Sequence, residues 1–312
     1  MSAPITEPTK VGGAGVPPQR AVGKTPPRPG DRRSEGLTLN VFSHGFLVLW
    51  AVLIILPLLW LVLSSFKTDA QIGGSALGWP SHWQFDVFQR AWSKGIGDYF
   101  ANTLIVLVFS VPLTMLLGSM AAYVLARYEF PGNRLVYYFF VGGAMFPVFL
   151  ALVPLFFMVK RLDMLNTYQG LILVYVAYSM PFTVFFMHSF FRTLPTAVFE
   201  AAVLDGASHS RAFFQVMLPM AKPGLLSVGI FNVLGQWNQY ILPSVLMQPQ
   251  TSSDPERYVL TQGLIQLQQQ QGYATDLPVL FAGVTIAMVP MLIVYLSFQR
   301  QVQAGLTSAT LK

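Results

Sequence analysis

Cysteine is absent from the 312-residue chain, which excludes disulfides, thiolate metal sites and a cysteine nucleophile. Charge is nearly as scarce. Asp, Glu, Lys and Arg together make up 10% of the residues, against about 25% in an ordinary soluble domain. No long stretch alternates apolar and polar residues, so the strands of a membrane barrel have no pattern to follow. Paired carboxylates, HExxH and GxSxG are missing as well, which leaves an intramembrane enzyme or a metal site without its chemistry. Ion-coupled carriers place Asp, Glu or Arg inside the bilayer. Here His188 is the only ionisable residue clearly inside an apolar run, so ion coupling is disfavoured.

What the chain has instead is apolar length. Hydrophobic residues make up 54% of it, and six stretches contain no Asp, Glu, Lys or Arg: 42–66, 101–126, 135–159, 169–191, 224–247 and 278–299. A helix crosses the bilayer core with roughly 20 apolar residues. The pattern predicts an all-α, polytopic membrane protein with six transmembrane helices. The first run is too long for the core of a signal peptide, so it is expected to remain as an anchor.

The net charge of +6 is distributed unevenly, with six of the 19 Lys and Arg residues in the first 33 positions. With the N-terminus inside, inner segments carry 13 basic residues and outer loops 6. That asymmetry predicts a cell-membrane protein with both termini cytoplasmic. It gives no reason to expect a nucleic-acid partner.

Residues 1–40 are rich in Pro, Gly and basic residues, and read as a disordered cytoplasmic tail ahead of a six-span domain over 41–312. Gly23-Lys24-Thr25 mimics the end of a phosphate-binding loop, but position 18 is Pro where the motif needs Gly. The long outer segments are 67–100 and 248–277. In the first, Phe85, Phe88 and Trp92 share a helical face, which suits either an interfacial helix or a docking surface. The second, with its Gln-rich "QLQQQQG", could serve likewise. Gly118, Ala122 and Ala126 are spaced for close helix approach. Pro112, Pro147, Pro154, Pro181 and Pro290 could each kink a span, which suits a pathway that opens and closes but is also common background in membrane helices.

One polar island breaks the apolar chain. "EAAVLDGASHSRAFFQVMLPMAKPG" at 200–224 brings together Glu200, Asp205, His209, Arg211 and Lys222. Glu200-Ala201-Ala202 favours a helix, Gly206 can bend it, and Phe213, Val216 and Met217 form an apolar stripe. Pro219 and Pro223 should stop the second helix. The loop, about 192–223, is therefore expected to hold two short helices meeting near Gly206.

That island resembles a known motif. Glu200-Ala201-Ala202, three residues, Gly206, nine residues and Val216-Met217-Leu218-Pro219 match the "EAA" loop of permease subunits in binding-protein-dependent ATP-binding-cassette importers. "YVLARYEFPGN", "NTYQGLIL" and the C-terminal "QRQVQAGLTSATLK" are similar to the carbohydrate-uptake, maltose-permease-like branch. The resemblance implies a type I importer permease fold, a second homologous permease subunit and an extracytoplasmic solute-binding protein. It also implies two copies of a cytoplasmic ATPase, which would hold ATP and Mg, with no cofactor on this chain. Glu200 would make a polar contact to the ATPase, Ala201 and Ala202 would allow close approach, and Gly206 would form the bend. Asp205, Ala207, Leu218 and Pro219 complete the expected coupling surface.

The fifth run contains "FNVLGQWNQYILP". Asn232, Gln236, Trp237 and Asn238 are costly in hydrocarbon unless they face protein or water. They suit either a sugar pathway, through amide hydrogen bonds and stacking, or interhelical hydrogen bonding. Asn102, Tyr175 and Tyr178 are further candidates. Sugar or oligosaccharide import is the expected function, with a polyol or oligopeptide as the rival solute.

Overall fold

A computed structural model describes residues 31–75, 77–271 and 276–310, with side chains at 43–75, 77–269 and 276–301. The helices are α1 (Asp31–Ser65), α2 (Asp69–Gly74), α3 (Asp86–Ala91), α4 (Gly97–Arg127), α5 (Asn133–Met145), α6 (Val148–Arg161), α7 (Tyr168–Thr193) and α8 (Thr196–Leu204). They continue as α9 (His209–Met220), α10 (Lys222–Trp237), α11 (Ile241–Leu246), α12 (Leu260–Gln271) and α13 (Leu277–Thr310). Among the described residues four helical segments are long and apolar enough to cross a membrane, or up to six if each of two sharply bent helix pairs is one span.

The chain divides into two compact units, Met1–Pro57 and Leu58–Lys312, where the sequence pattern placed a boundary at residue 40. In the first unit α1 begins at Asp31, so it takes in residues 31–40 of the expected tail. Residues 1–30 of that tail lie outside the described residues. From Phe46 to Leu56 the apolar side chains are exposed, with Phe46 stacked on Trp50.

The second unit is organised around α4 and α7, which run side by side in the same direction. They come close at Gly118, where an added Cβ would stand 2.5 Å from Thr183 Cγ2. Ala122, one turn further on, is fully buried. The small-residue stripe is therefore the contact that lets the two backbones meet. α10 runs back between them and α13.

Prolines prove a poor guide to breaks. Pro112, Pro154, Pro181 and Pro290 all sit inside helices that continue through them. Only Pro147 separates two helices, with a bend of 102° between α5 and α6. Phe146 before it is extended, as the proline ring demands of its predecessor. The fifth run is also not one helix. α10 ends at Trp237, and the chain resumes helix only at Ile241, because Asn238 closes α10 in a non-helical conformation.

Call the end of the bundle that bears residues 196–220 the island end. At the opposite end, α3 joins α4 through a π-turn over Trp92–Ile96 that needs Gly95 at φ 103°. Arg90 and Lys94 pair with Asp276 at 3.0 Å, bracing α3 against the start of α13. Phe88 packs partly buried, whereas Phe85 and Trp92 are exposed. The Gln-rich segment falls in α12, whose Leu260, Leu264 and Leu267 pack into the same apolar cluster. In the loop before α12, Asp254 accepts hydrogen bonds from the Thr251 hydroxyl and the Gln250 and Thr251 amides. Those bonds, led by the Thr251 hydroxyl, hold its carboxyl below the ordinary value.

The Gly118 contact makes a stability test. Gly118→Ala should lower stability by about 1–3 kcal/mol through overpacking against Thr183. Gly229→Ala, where nothing lies within 4 Å of the added carbon, should be neutral or mildly stabilising. Thermal unfolding of the two variants in detergent distinguishes them, and equal midpoints would refute the close-approach reading.

Candidate functional site

Two places concentrate the polar side chains singled out in the sequence: the island and the face of α10. The island folds as two short helices. α8 ends at Leu204, and Gly206 adopts φ 79°, a left-handed conformation that favours glycine. Its amide donates to the Val203 carbonyl, and the Ala207 amide donates to Ala202, both at 3.0 Å. This is a Schellman closure. Two residues later Ser208 caps α9 by accepting from the Arg211 amide. α9 then lies at 79° to α10, with the bend at Ala221. The bend comes where expected, but Pro219 lies within α9 and Pro223 opens α10.

The apolar stripe is an anchor. Phe213 and Met217 are buried in one cluster with Tyr123, Met187 and Phe191, and Val216 packs at its edge. The outer surface is different. Glu200, Ala201, Asp205, Gly206 and Pro219 are exposed, while Ala202, Ala207 and Leu218 are half-buried. Leu204, at the end of α8, is 87% exposed. The site thus presents an apolar tip flanked by carboxylates.

Three residues that sequence reasoning left out hold the island in place. Arg127, the last residue of α4, donates to the Phe191 and Leu194 carbonyls at 2.7 Å and to the Thr196 hydroxyl at 3.2 Å. It therefore ties the end of α7 to the start of α8. Tyr128 hydrogen-bonds His209 Nδ1 at 2.9 Å and packs against Phe199 of α8. Asn133 donates to the Leu125 and Tyr128 carbonyls. All three except Phe199's contact belong to "YVLARYEFPGN", so that motif carried the only sequence signal for them.

The polar face of α10 is mostly a connector between helices. Asn232 donates to the Thr183 hydroxyl at 3.0 Å and lies 3.5 Å from Met115 Sδ. Gln236 accepts from the Ser110 hydroxyl and donates to Ser179 at 3.1 Å. Each amide bridges α4, α7 and α10. Asn102 forms a similar rung nearer the opposite end, accepting from Tyr168 and donating to the Tyr258 carbonyl.

One cavity, of about 760 Å³, opens beside this face between α6, α7 and α10. Asn232, Gln236, Gln239, Tyr175 and Tyr178 line it. Trp237, Asn238 and Asn102 do not. The Trp237 ring turns the other way, donating to the Ala287 carbonyl at 3.2 Å and meeting Phe100 edge-on. Asn238 is exposed and bonds only back to Leu234. The seven pathway candidates therefore separate into four at the cavity and three away from it. Among the described residues, no three His, Asp or Glu side chains form a metal-binding group.

Residues 114–308, which include the island, α10 and the cavity's α7 wall, match the sequence model of the binding-protein-dependent transport system inner membrane component family. The chain belongs to that family. It is a multi-pass membrane permease, a transport subunit rather than an enzyme. The permease is 50% identical over 271 residues to the diacetylchitobiose uptake system permease protein of Streptomyces coelicolor, covering 86% of this chain and 88% of that one. It is 32% identical over 279 residues to the trehalose transport system permease protein of Mycobacterium tuberculosis, covering 84% and 97%. Its fold is similar to a chain of a bacterial ABC transporter involved in import of the acidic polysaccharide alginate. That match has a TM-score of 0.73 at 21% identity, over 88% of this chain and 99% of the other.

The two aromatic and amide side chains at the end of α10 give opposite expectations. Trp237→Ala removes a buried ring and should cost about 3–5 kcal/mol of stability. Asn238→Ala should stay within about 0.5 kcal/mol. Unfolding midpoints check the first point. If Trp237→Ala kept its stability but changed solute preference, the packing assignment would be wrong.

Proposed function

We propose that this permease forms the membrane path of an ATP-driven importer for a sugar or oligosaccharide. The solute would be delivered by a binding protein at the end opposite the island. The observation that carries the reading is the island: a glycine-hinged knob with an exposed apolar tip, anchored at its base into the ends of α4 and α7. An exposed Leu204 beside Glu200 and Asp205 needs a protein partner more than it needs water or lipid. A cytoplasmic ATPase subunit, present in two copies and holding ATP and Mg, is the partner this reading assigns. The excess of basic residues in the tail and in alternate loops supports a cytoplasmic island and cytoplasmic termini.

The sugar assignment draws on the relatives, whose names specify diacetylchitobiose and trehalose. The cavity suits it. Tyr178 offers an exposed ring face, and Gln239 offers an amide that donates no hydrogen bond among the described residues. Asn232 and Gln236 contribute from the same wall, although part of their bonding capacity is committed between helices. In this reading a second homologous permease subunit closes the open side of the cavity. Trp237, Asn238 and Asn102 take no direct part.

Two substitutions test coupling. Gly206→Pro imposes φ near −65° on a residue at 79°, and it removes the amide that closes α8. Glu200→Lys inverts a charge on the exposed face. Both variants should reach the membrane and lose uptake of labelled diacetylchitobiose or trehalose in a strain lacking the native subunit. Normal uptake by both would overturn the coupling assignment.

The pathway is tested separately. Tyr178→Ala should weaken transport or shift its preference among sugars, by roughly 5- to 150-fold if a buried contact worth 1–3 kcal/mol is lost. Assembly, followed by gel filtration, should be unaffected. Unchanged transport at intact assembly would remove Tyr178 from the path.

A further inference from the structure

A second cavity, of about 820 Å³, lies at the island end, with Arg127 in its lining. It sits between the turn at 128–132, the start of α5 and the last turns of α7. Its lining is basic. Arg127, Arg134 and Arg192 all border it, with Glu129 as the only carboxylate. Arg134 and Arg192 form no ion pair or hydrogen bond among the described residues. Arg127 keeps its Nε buried and without a partner, even though its other nitrogens are bonded. Three guanidiniums around one cavity with a single carboxylate form a site in want of an anion.

The position limits which anion fits. The apolar stretches long enough to span the bilayer in α4 and α7 end at Arg127 and Thr193, which puts the cavity beside the end of those spans, where hydrocarbon gives way to headgroups. One wall is built by Tyr137 packed against His188, their rings 4.2 Å apart and tilted by 32°. At the rim Leu135, and one helical turn beyond it Phe139, both of α5, are about four-fifths exposed. They extend an apolar track from the basic cavity toward mid-span. A soluble phosphate would have no use for that track, but an acyl chain would. We infer that this cavity holds the phosphate of an anionic phospholipid, with the headgroup against Arg134 and Arg192 and a tail along Leu135 and Phe139. Basic pockets between helices at a membrane face are a recurrent way of binding such headgroups. A lipid bound there would touch Arg127, the residue that fixes α8 to α7, so occupancy would bear on how firmly the island is held.

The test uses the full-length chain purified in detergent with its co-purifying subunits. Retained lipid is counted by native mass spectrometry during titration with phosphatidylglycerol or phosphatidylcholine. The expected result is preferential retention of phosphatidylglycerol. In Arg134→Gln/Arg192→Gln that retention should fall about 30-fold, from two charges each worth about fivefold near an anionic lipid. Arg134→Lys/Arg192→Lys, which keeps the charge, should retain most of it, and Lys222→Gln, outside the cavity, should not change it. Equal retention of the two lipids by the parent would overturn the inference, as would undiminished binding in the Gln pair. Displacement of phosphatidylglycerol by millimolar inorganic phosphate would also overturn it, by making the cavity a soluble-phosphate site.

Discussion

The rest of the bundle depends on two side-chain amides. Helices in a bilayer gain little from hydrophobic association, because lipid is as apolar as leucine. Register between them must come from close packing and from hydrogen bonds with no competitor. Gln236 supplies such bonds by bridging Ser110 on α4 and Ser179 on α7, and Asn232 repeats the arrangement one turn away with Thr183. An interhelical hydrogen bond of this kind is worth about 0.6–2 kcal/mol, which is modest for each. Their value is positional: a slip of one residue between α4 and α7 would leave both amides unpaired in a low-dielectric interior. The Gly118 contact reinforces the same register, since only one alignment places a glycine opposite Thr183.

From that fixed pair the structure reaches the island by short links. Arg127 and the Phe213–Met217 anchor both attach to the ends of α4 and α7, so the two island helices are held by the most rigid part of the bundle. The backbone departs from regular helix at Gly206, at Ala221 and before Pro147. Each of these places two rigid segments at an angle without loosening either. If the island receives force from a partner, as proposed, α4 and α7 would move with it as a unit, and motion would concentrate at those three breaks. The wall of the 760 Å³ cavity includes α6, beyond the Pro147 break, as well as α7 and α10. Its shape would therefore change as those segments swing.

Much of this architecture was legible in the sequence because hydropathy reports the solvent directly. Runs with no charge mark the spans, and the Glu-Ala-Ala and Gly206 pattern marks a short helix and the bend that ends it. The prolines were not legible in the same way. Pro112, Pro154, Pro181 and Pro290 look no different in sequence from Pro147, yet only Pro147 has a preceding residue in extended conformation between two helices. Neighbouring helices can absorb the missing hydrogen bond of a proline, and a linear pattern does not show which neighbours are present. Arg127 and Tyr128 were missed for a related reason: their partners are backbone carbonyls and a ring some 64 to 81 positions away.

Trp237 shows where periodicity stops informing. It follows Gln236 directly, so helical geometry separates the two by about 100°. That angle alone sends one side chain into the contact among α4, α7 and α10 and the other toward α13. Nothing in "GQWNQY" states which of the two faces a cavity; the answer comes from α13, whose Ala287 carbonyl meets the indole nitrogen. The amide face, read at first as equally suited to sugar or to helix contacts, turns out to serve helix contacts while still bordering the cavity. A polar residue in a span need not choose between these roles. An amide has four hydrogen-bonding positions, and Gln236 uses only two of them between helices. What remains is available to whatever enters the space beside α10.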